Sequence, residues 1–215
     1  MERILTRYPH ASALQRWHMR GRLRLCPYDA LLKHLTGPGN LLDVGCGFGH
    51  LAWYLADERP DLRYHGADID PRKIDLATES TERSPQRHDF RLGDVRGLPG
   101  LPDRFGNIVF LDVLYLMPWE MQKEMMAWAL ARLSPGTGSA LVIKTMDEAE
   151  GFSGFRAVAE EWIMVRLLRR TLSSGALNGA RSADDYLAFA RGLGFRGEVE
   201  SLGTFNPSSI LRLHR

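Results

Sequence analysis

A chain of 215 residues, 44 % hydrophobic and 25 % charged, is sized for one α/β domain with a sizeable core and has an ordinary globular composition. Its formal charge of +2 excludes a polycation gripping nucleic acid along its whole length, and no apolar run reaches the roughly 20 residues of a spanning helix. Cys26 and Cys46 have neither metal-site spacing nor the look of a disulfide framework, and the polar, interrupted N-terminus does not read as a secretory signal, so a reduced cytoplasmic setting is the expectation.

The first 35 residues read as mostly helical, with a break at Pro27. Their charge is lopsided, because Arg3, Arg7, Arg16, Arg20, Arg22, Arg24 and Lys33 oppose only Glu2 and Asp29. Such an arm suits nucleic-acid phosphates, an anionic lipid surface or an anionic small substrate, or it is simply a solvated helix face. Residues 40–45 (NLLDVG) form a short apolar run ending in glycine, which predicts a buried strand. A helix follows over 50–58, with Leu51, Tyr54 and Leu55 at helical spacing. Residues 61–68 predict a second strand, and 71–80 a helix with Pro71 in its first turn. Third and fourth strands are expected over 89–94 and 106–114, the latter the most apolar. A helix over 118–133 stops at Ser134-Pro135-Gly136, and 139–144 predicts a fifth strand.

This alternation of short apolar strands and helices predicts a parallel sheet covered on both faces. A long helix is expected over 154–172. A second begins at Ser182, whose spacing to Asp185 is that of a capping pattern, and ends near Gly194. Residues 196–202 and 208–214 predict two closing strands around a Gly-Thr-Phe-Asn-Pro turn. With no internal repeat or linker, residues 1–215 read as a single domain. It carries a helical arm over 1–36 and a helical, lid-like insertion over 148–180.

The stretch from Asp43 to Gly49 reads D-x-G-x-G-x-G. Glycines in a strand-to-helix turn permit positive φ and close approach of a ligand to the backbone, and the helix beyond offers unpaired N–H groups. A dinucleotide fingerprint starting at Gly45 would need glycine at position 50, where His50 stands, and no Lys-Ser/Thr pair completes a P-loop. The pattern instead resembles the class I S-adenosylmethionine-dependent methyltransferases. Further landmarks occur in family order over residues 38–145: Asp68 in YHGADIDP, Asp94 in RLGDV, DVLYLM from Asp112 to Met117, and LSPGTG before the fifth strand.

The resemblance implies a doubly wound, mostly parallel seven-stranded sheet with an antiparallel C-terminal hairpin strand, in three α/β/α layers. It implies S-adenosylmethionine as cofactor. Asp68, 19 residues beyond Gly49, is placed to accept both ribose hydroxyls. Asp70 is a nearby alternative, although its position before Pro71 suits a helix cap. Asp94 would accept from the adenine amino group between apolar walls at Ile69 and Val95, unless it is only a turn acid. The backbone at Gly45, Cys46 and Gly47 would meet the methionine end, and Asp43 would hold its ammonium side through water.

The acceptor side of this fold lies beyond strands four and five, where Asp112, Tyr115 and Lys144 are the catalytic candidates. Many relatives carry histidine where this chain has Tyr115, and a phenol is a poor base near neutrality. Asp112 would fix acceptor or cofactor, or cap the strand end. Lys144, costly to bury alone, would pair with Asp147 or reach to solvent. Several acceptors lose support: there is no Asn/Asp-Pro-Pro-aromatic tetrad and no Pro-Cys pair. His50, His65 and His88 form no ligand set with nearby carboxylates, so no metal is expected. A small-molecule acceptor, apolar or aromatic with an anionic group, is the leading expectation, with a lipid-like substrate or peripheral membrane contact in keeping with the basic arm. DNA is not expected. An RNA methyltransferase using that arm is the alternative, disfavoured by the modest charge and the lack of a recognition domain; a cofactor-binding regulator without turnover is another.

Overall fold

The computed structural model of the chain describes residues 2–82, 88–146, 181–203 and 208–215. The expected insertion over 148–180, the expected helix over 154–172 and Asp147 lie outside them. The architecture is a seven-stranded mixed sheet. Five parallel strands, β1 (Asn40–Val44), β2 (Arg63–Asp68), β3 (Asp89–Leu92), β4 (Asn107–Leu111) and β5 (Ala140–Met146), lie in the order β3-β2-β1-β4-β5. The hairpin of β6 (Arg196–Ser201) and β7 (Ser208–His214) closes the sheet antiparallel, β7 beside β5 and β6 outermost.

Period-two alternation along the strands makes the two faces. Leu42, Ile108, Phe110, Leu141 and Ile143 point into one core, with Met126 and Leu130 of α6 (Trp119–Ala131) and Tyr186 and Ala190 of α7 (Ala183–Gly192). Leu41, Val109, Leu111 and Val142 point the other way, against Leu31 of α3 (Tyr28–His34) and Leu51 and Leu55 of α4 (His50–Glu58). All of β4 is buried, as the sequence's most apolar strand should be when covered on both sides. Helix α5 (Pro71–Thr81) joins β2 to β3.

The N-terminal segment forms α1 (Glu2–Leu5) and α2 (Ala13–Leu25) before the break at Pro27. Ser12 and Gln15 open α2 with a reciprocal capping box. Leu5, Tyr8, Met19 and Leu23 then pack on Trp53 of α4, which lays α2 beside the glycine turn.

Three strands end two or more residues away from the sequence expectation. The fourth strand stops at Leu111 rather than 114, because Asp112 adopts a φ of 56° and Leu114–Leu116 forms a 3-10 turn. The third stops at Leu92, where Gly93 turns with a φ of 137°. The fifth extends to Met146, drawn out by pairing of Thr145 and Met146 with Ser209 and Ser208 of β7. Because β2 lies on one side of β1 and β4 on the other, chain direction across the sheet reverses between β1 and β4. That switch point opens a crevice at the carboxyl ends of the strands. No helix among the described residues is long and apolar enough to cross a membrane.

Candidate functional site

The three glycines of the turn after β1 all have positive φ: 75° at Gly45, 56° at Gly47 and 74° at Gly49. Two are also crowded. A Cβ at Gly45 would lie 2.6 Å from Val113 Cγ2, and one at Gly49 would lie 2.4 Å from the Phe90 ring. Gly47 differs, since a Cβ there would meet nothing nearer than Lys73 Cδ at 4.0 Å. The turn is pinned from below, with the N–H groups of Gly45 and Cys46 both donating to Ala67 O at the end of β2. The Gly47 N–H donates to Asp68 Oδ2 at 2.8 Å. What Gly45 and Gly47 can present to a ligand is therefore their carbonyl oxygens, which suit a cationic amine. Cys46 turns its sulfur onto β2, where a Cβ at Gly66 would lie 2.9 Å from it, and burial raises its thiol pKa well above the ordinary value.

Two acids flank this turn. Asp43 is 3 % exposed, and its Oδ2 accepts the Tyr64 hydroxyl at 2.6 Å. Its Oδ1 is buried with no hydrogen-bond partner among the described residues. Burial pushes its pKa up from 3.8 to about 7; the Tyr64 hydrogen bond opposes this and neighbouring Asp68 adds to it. A buried carboxylate oxygen without a donor, beside a cradle at Gly47, fits the cationic methionine end of S-adenosylmethionine. Asp68 closes β2 and is itself buried; its Oδ1 accepts the Asp70 N–H at 2.9 Å. Each of its oxygens keeps a second lone pair, enough for a pair of ribose hydroxyls. Asp70 is the N-cap of α5, accepting from the Arg72 N–H at 3.0 Å, so it has the capping task its place before Pro71 suggested.

After β3, Asp94, the acid expected at the adenine, caps the 3-10 turn Val95–Gly97 and pairs with Arg96 at 2.6 Å. The hydrogen bond from Arg96 holds its pKa below the ordinary carboxylate value, against the opposing effect of burial. Ile69 is 65 % exposed, whereas Val95 is buried in the main core. The Val95 side chain packs in the core, and exposed Leu92 at the end of β3 joins Ile69 as open apolar surface.

The other half of the crevice holds a buried ion cluster. Asp112 follows β4 and is the one non-glycine residue with positive φ among those described. Its Oδ1 accepts from Lys144 Nζ at 2.5 Å, and its Oδ2 accepts from Arg22 Nη1 at 2.9 Å. The register that pairs Leu111 with Lys144 brings the ends of β4 and β5 together. Burial opposes ionisation of Asp112, but Lys144 and Arg22 outweigh it and hold its pKa below the ordinary value. Lys144 therefore does not reach to solvent, and its partner within the described residues is Asp112, 32 residues earlier, while the expected partner Asp147 lies outside them. Burial works against the charge of Arg22, yet Asp112 and Tyr115 raise its pKa above the ordinary value. Tyr115 is thus part of the same neighbourhood, half-buried in the 3-10 turn after β4.

Sequence reasoning counted Arg22 only as part of a basic arm, weighed His50 only as a metal ligand, and passed over His18. His18 and Arg22 stand one turn apart on α2, so they share a face. The His18 ring meets the Phe48 ring edge-on at 5.9 Å, and Phe48 lies 5.9 Å from the ring of His50, the first residue of α4. Tyr8 holds this corner, its hydroxyl donating to Phe48 O at 2.6 Å. Burial, then Arg22, lowers the pKa of both imidazoles, to about 4 at His18 and about 3 at His50. Both rings are neutral at pH 7. The i, i+4 spacing of His18 and Arg22 and the position of His50 just after the last glycine were the available signals.

Comparisons with known proteins point to methyltransferases. A family model described as a methyltransferase domain matches residues 41–136. The chain is 29 % identical over 109 residues to the 2-heptyl-1-hydroxyquinolin-4(1H)-one methyltransferase of Mycobacteroides abscessus, covering 49 % of this chain and 46 % of that protein. It is 29 % identical over 129 residues to the trans-aconitate 2-methyltransferase of Mycobacterium tuberculosis, covering 60 % and 46 %. The chain thus matches about half the length of these curated relatives. The fold is shared with the magnesium protoporphyrin IX methyltransferase of Synechocystis PCC 6803 with bound SAH, at a TM-score of 0.64 and 18 % identity, covering 100 % of this chain and 93 % of that one.

Proposed function

We propose that the chain is a class I S-adenosylmethionine-dependent methyltransferase and that it methylates a small-molecule acceptor with an apolar or aromatic body and an anionic group. The observation that carries the activity is the glycine turn with its two acids, above all the buried, unpartnered Oδ1 of Asp43. Bound S-adenosylmethionine supplies an electrophilic methyl group on a good leaving group, so the protein's task is chiefly to place the acceptor. Asp43 and the carbonyls of Gly45 and Gly47 bind the cationic methionine end. Asp68, fixed by two backbone N–H groups, accepts the ribose hydroxyls. Ile69 and Asp94 flank the adenine. Tyr115 orients the acceptor rather than removing its proton, in keeping with a phenol's ordinary pKa near 10. An acceptor that arrives as an anion needs no base. Two relatives named for small acceptors, a heptyl hydroxyquinolone and trans-aconitate, support this class.

The test is calorimetry with S-adenosylhomocysteine, followed by labelled methyl transfer to a panel of small acids, their neutral analogues and RNA. We expect product binding insensitive to chelator and transfer to acids. Absence of binding at saturating product overturns the reading, as does binding with no transfer to any small molecule.

A further inference from the structure

The methyltransferase reading leaves the acceptor's place in the crevice open. Arg22 and Lys144, on two different elements, converge on the two oxygens of one carboxylate, Asp112. The side chains of Asp112 and Lys144 are 6 % and 7 % exposed, while that of Arg22 is 32 % exposed. Two cations against one anion leave an excess positive charge in a poorly solvated place, and the member of the cluster with most solvent contact is Arg22. The further acid whose charge acts on Arg22 among the described residues is Asp43, which the reading above pairs with the cofactor's ammonium. Burial pushes the Cys26 thiol up to about 11 and raises the Tyr28 phenol well above its usual pKa. His18 and His50 are neutral acceptors or donors, and the buried Nε2 of His50 has no partner among the described residues. The cluster lies at the ends of β4 and β5, whereas the acids that fit the cofactor close β1 and β2 or follow β3.

Resting on the reading above, we propose that Arg22 holds an oxyanion of the acceptor, of carboxylate type, and is the residue that selects acids over neutral molecules. One arm of the guanidinium is fixed by Asp112, which Lys144 holds in turn. The remaining N–H groups form a planar fork matched to a carboxylate. Asp112 and Lys144 are positioning residues here; their ion pair aims Arg22. The positive φ of Asp112 is consistent with a backbone fixed to deliver its carboxylate between the two cations. Helix α2 carries the anchor, so acceptor recognition is tied to the N-terminal segment.

The experiment uses the full chain saturated with S-adenosylhomocysteine. Calorimetry measures binding of benzoate, 4-hexylbenzoate and octanoate, each against its neutral amide. A charge-assisted fork should favour at least one carboxylate over its amide by about tenfold or more. Arg22→Gln should abolish that preference and leave the affinity for S-adenosylhomocysteine within about threefold. Arg22→Lys, which keeps the charge but loses the fork, should retain part of it. Arg24→Gln, at an exposed position on the same helix, should leave it intact. If no carboxylate is preferred by the wild type, the proposal fails without any variant being needed. It also fails if Arg22→Gln weakens product binding as much as it weakens the acid, since the guanidinium would then serve the cofactor's own carboxylate. Equal losses in Arg24→Gln would reduce the effect to general arm charge. Absence of product binding in the wild type sinks the methyltransferase reading instead, so the two failures are separable.

Discussion

Replacing Asp43 by asparagine should make the ligand-free protein more stable at neutral pH and weaken its grip on the cofactor. Asp43 is buried, its Oδ1 lacks a donor, and Asp68 lies close by. Burial, reinforced by Asp68 and opposed by the Tyr64 hydroxyl and Arg22, moves its pKa from 3.8 to about 7. A carboxyl with a raised folded-state pKa contributes stability that is complete below the unfolded value and is lost as pH rises through the folded one. The loss accrues at about 1.4 kcal/mol per pH unit, on the order of 4 kcal/mol across this window. Asparagine can still accept the Tyr64 hydroxyl but does not titrate. Urea denaturation of wild type and Asp43→Asn in parallel cancels the other titrating groups. The variant should gain on the wild type steadily between about pH 4 and pH 7 and level off above. A cationic ligand favours the carboxylate, so wild-type binding of S-adenosylhomocysteine should release a proton near pH 6 and tighten toward pH 7. Asp43→Asn should lose both the release and much of the affinity. A stability difference that stays flat across the window would refute the burial argument, and unchanged affinity would refute the placement of the ligand's ammonium.

Asp68→Ala removes charge-assisted hydrogen bonds worth roughly 1.5–3 kcal/mol each, so calorimetry should show at least about a tenfold loss in product affinity. Asp70→Ala should instead cost about 1 kcal/mol of stability as a lost cap with little change in affinity, and equal affinity losses would mean the wrong carboxylate was chosen. Asp112→Asn keeps a residue type that tolerates positive φ but leaves Lys144 and Arg22 unpaired. Breaking a buried pair this way costs about 3–5 kcal/mol, less here because Arg22 keeps partial solvent contact; the double variant Asp112→Asn/Lys144→Met should recover a measurable part of the loss in urea. Because Asp112 titrates below its ordinary value in the fold, its contribution should be present above the unfolded pKa and vanish as pH falls through the folded one. Gly49→Ala meets the Phe90 ring at 2.4 Å with φ at 74°. Overpacking of about 1–3 kcal/mol and a left-handed penalty of about 1–2 kcal/mol should lower the urea midpoint clearly, and an unchanged midpoint would show that Phe90 moves aside at no cost.

Local chemistry was legible in the chain itself. The short apolar runs of β1 and β4, the helical spacing of α4 and the capping pair Ser182 and Asp185 all act within a few residues. So did the glycine turn, because its positive φ values exclude most other residue types. The order of acids at Asp43, Asp68 and Asp94 could be read as well, since parallel strands joined by helices place successive strand ends along one edge of the sheet. Only the folded chain decided which groups meet across long sequence distances. Val113 crowds Gly45, Tyr64 takes one oxygen of Asp43, and Lys144 turns to Asp112, 32 residues away. Arg22 reaches the same carboxylate from 90 residues away. Val95, read as an apolar wall, joins the main core for the same reason. Sequence spacing fixes neither the reversal of strand order between β1 and β4 nor the docking of α2 over that crevice. Both follow from burying two faces of one sheet at once, and the resulting contacts set the charge of the site.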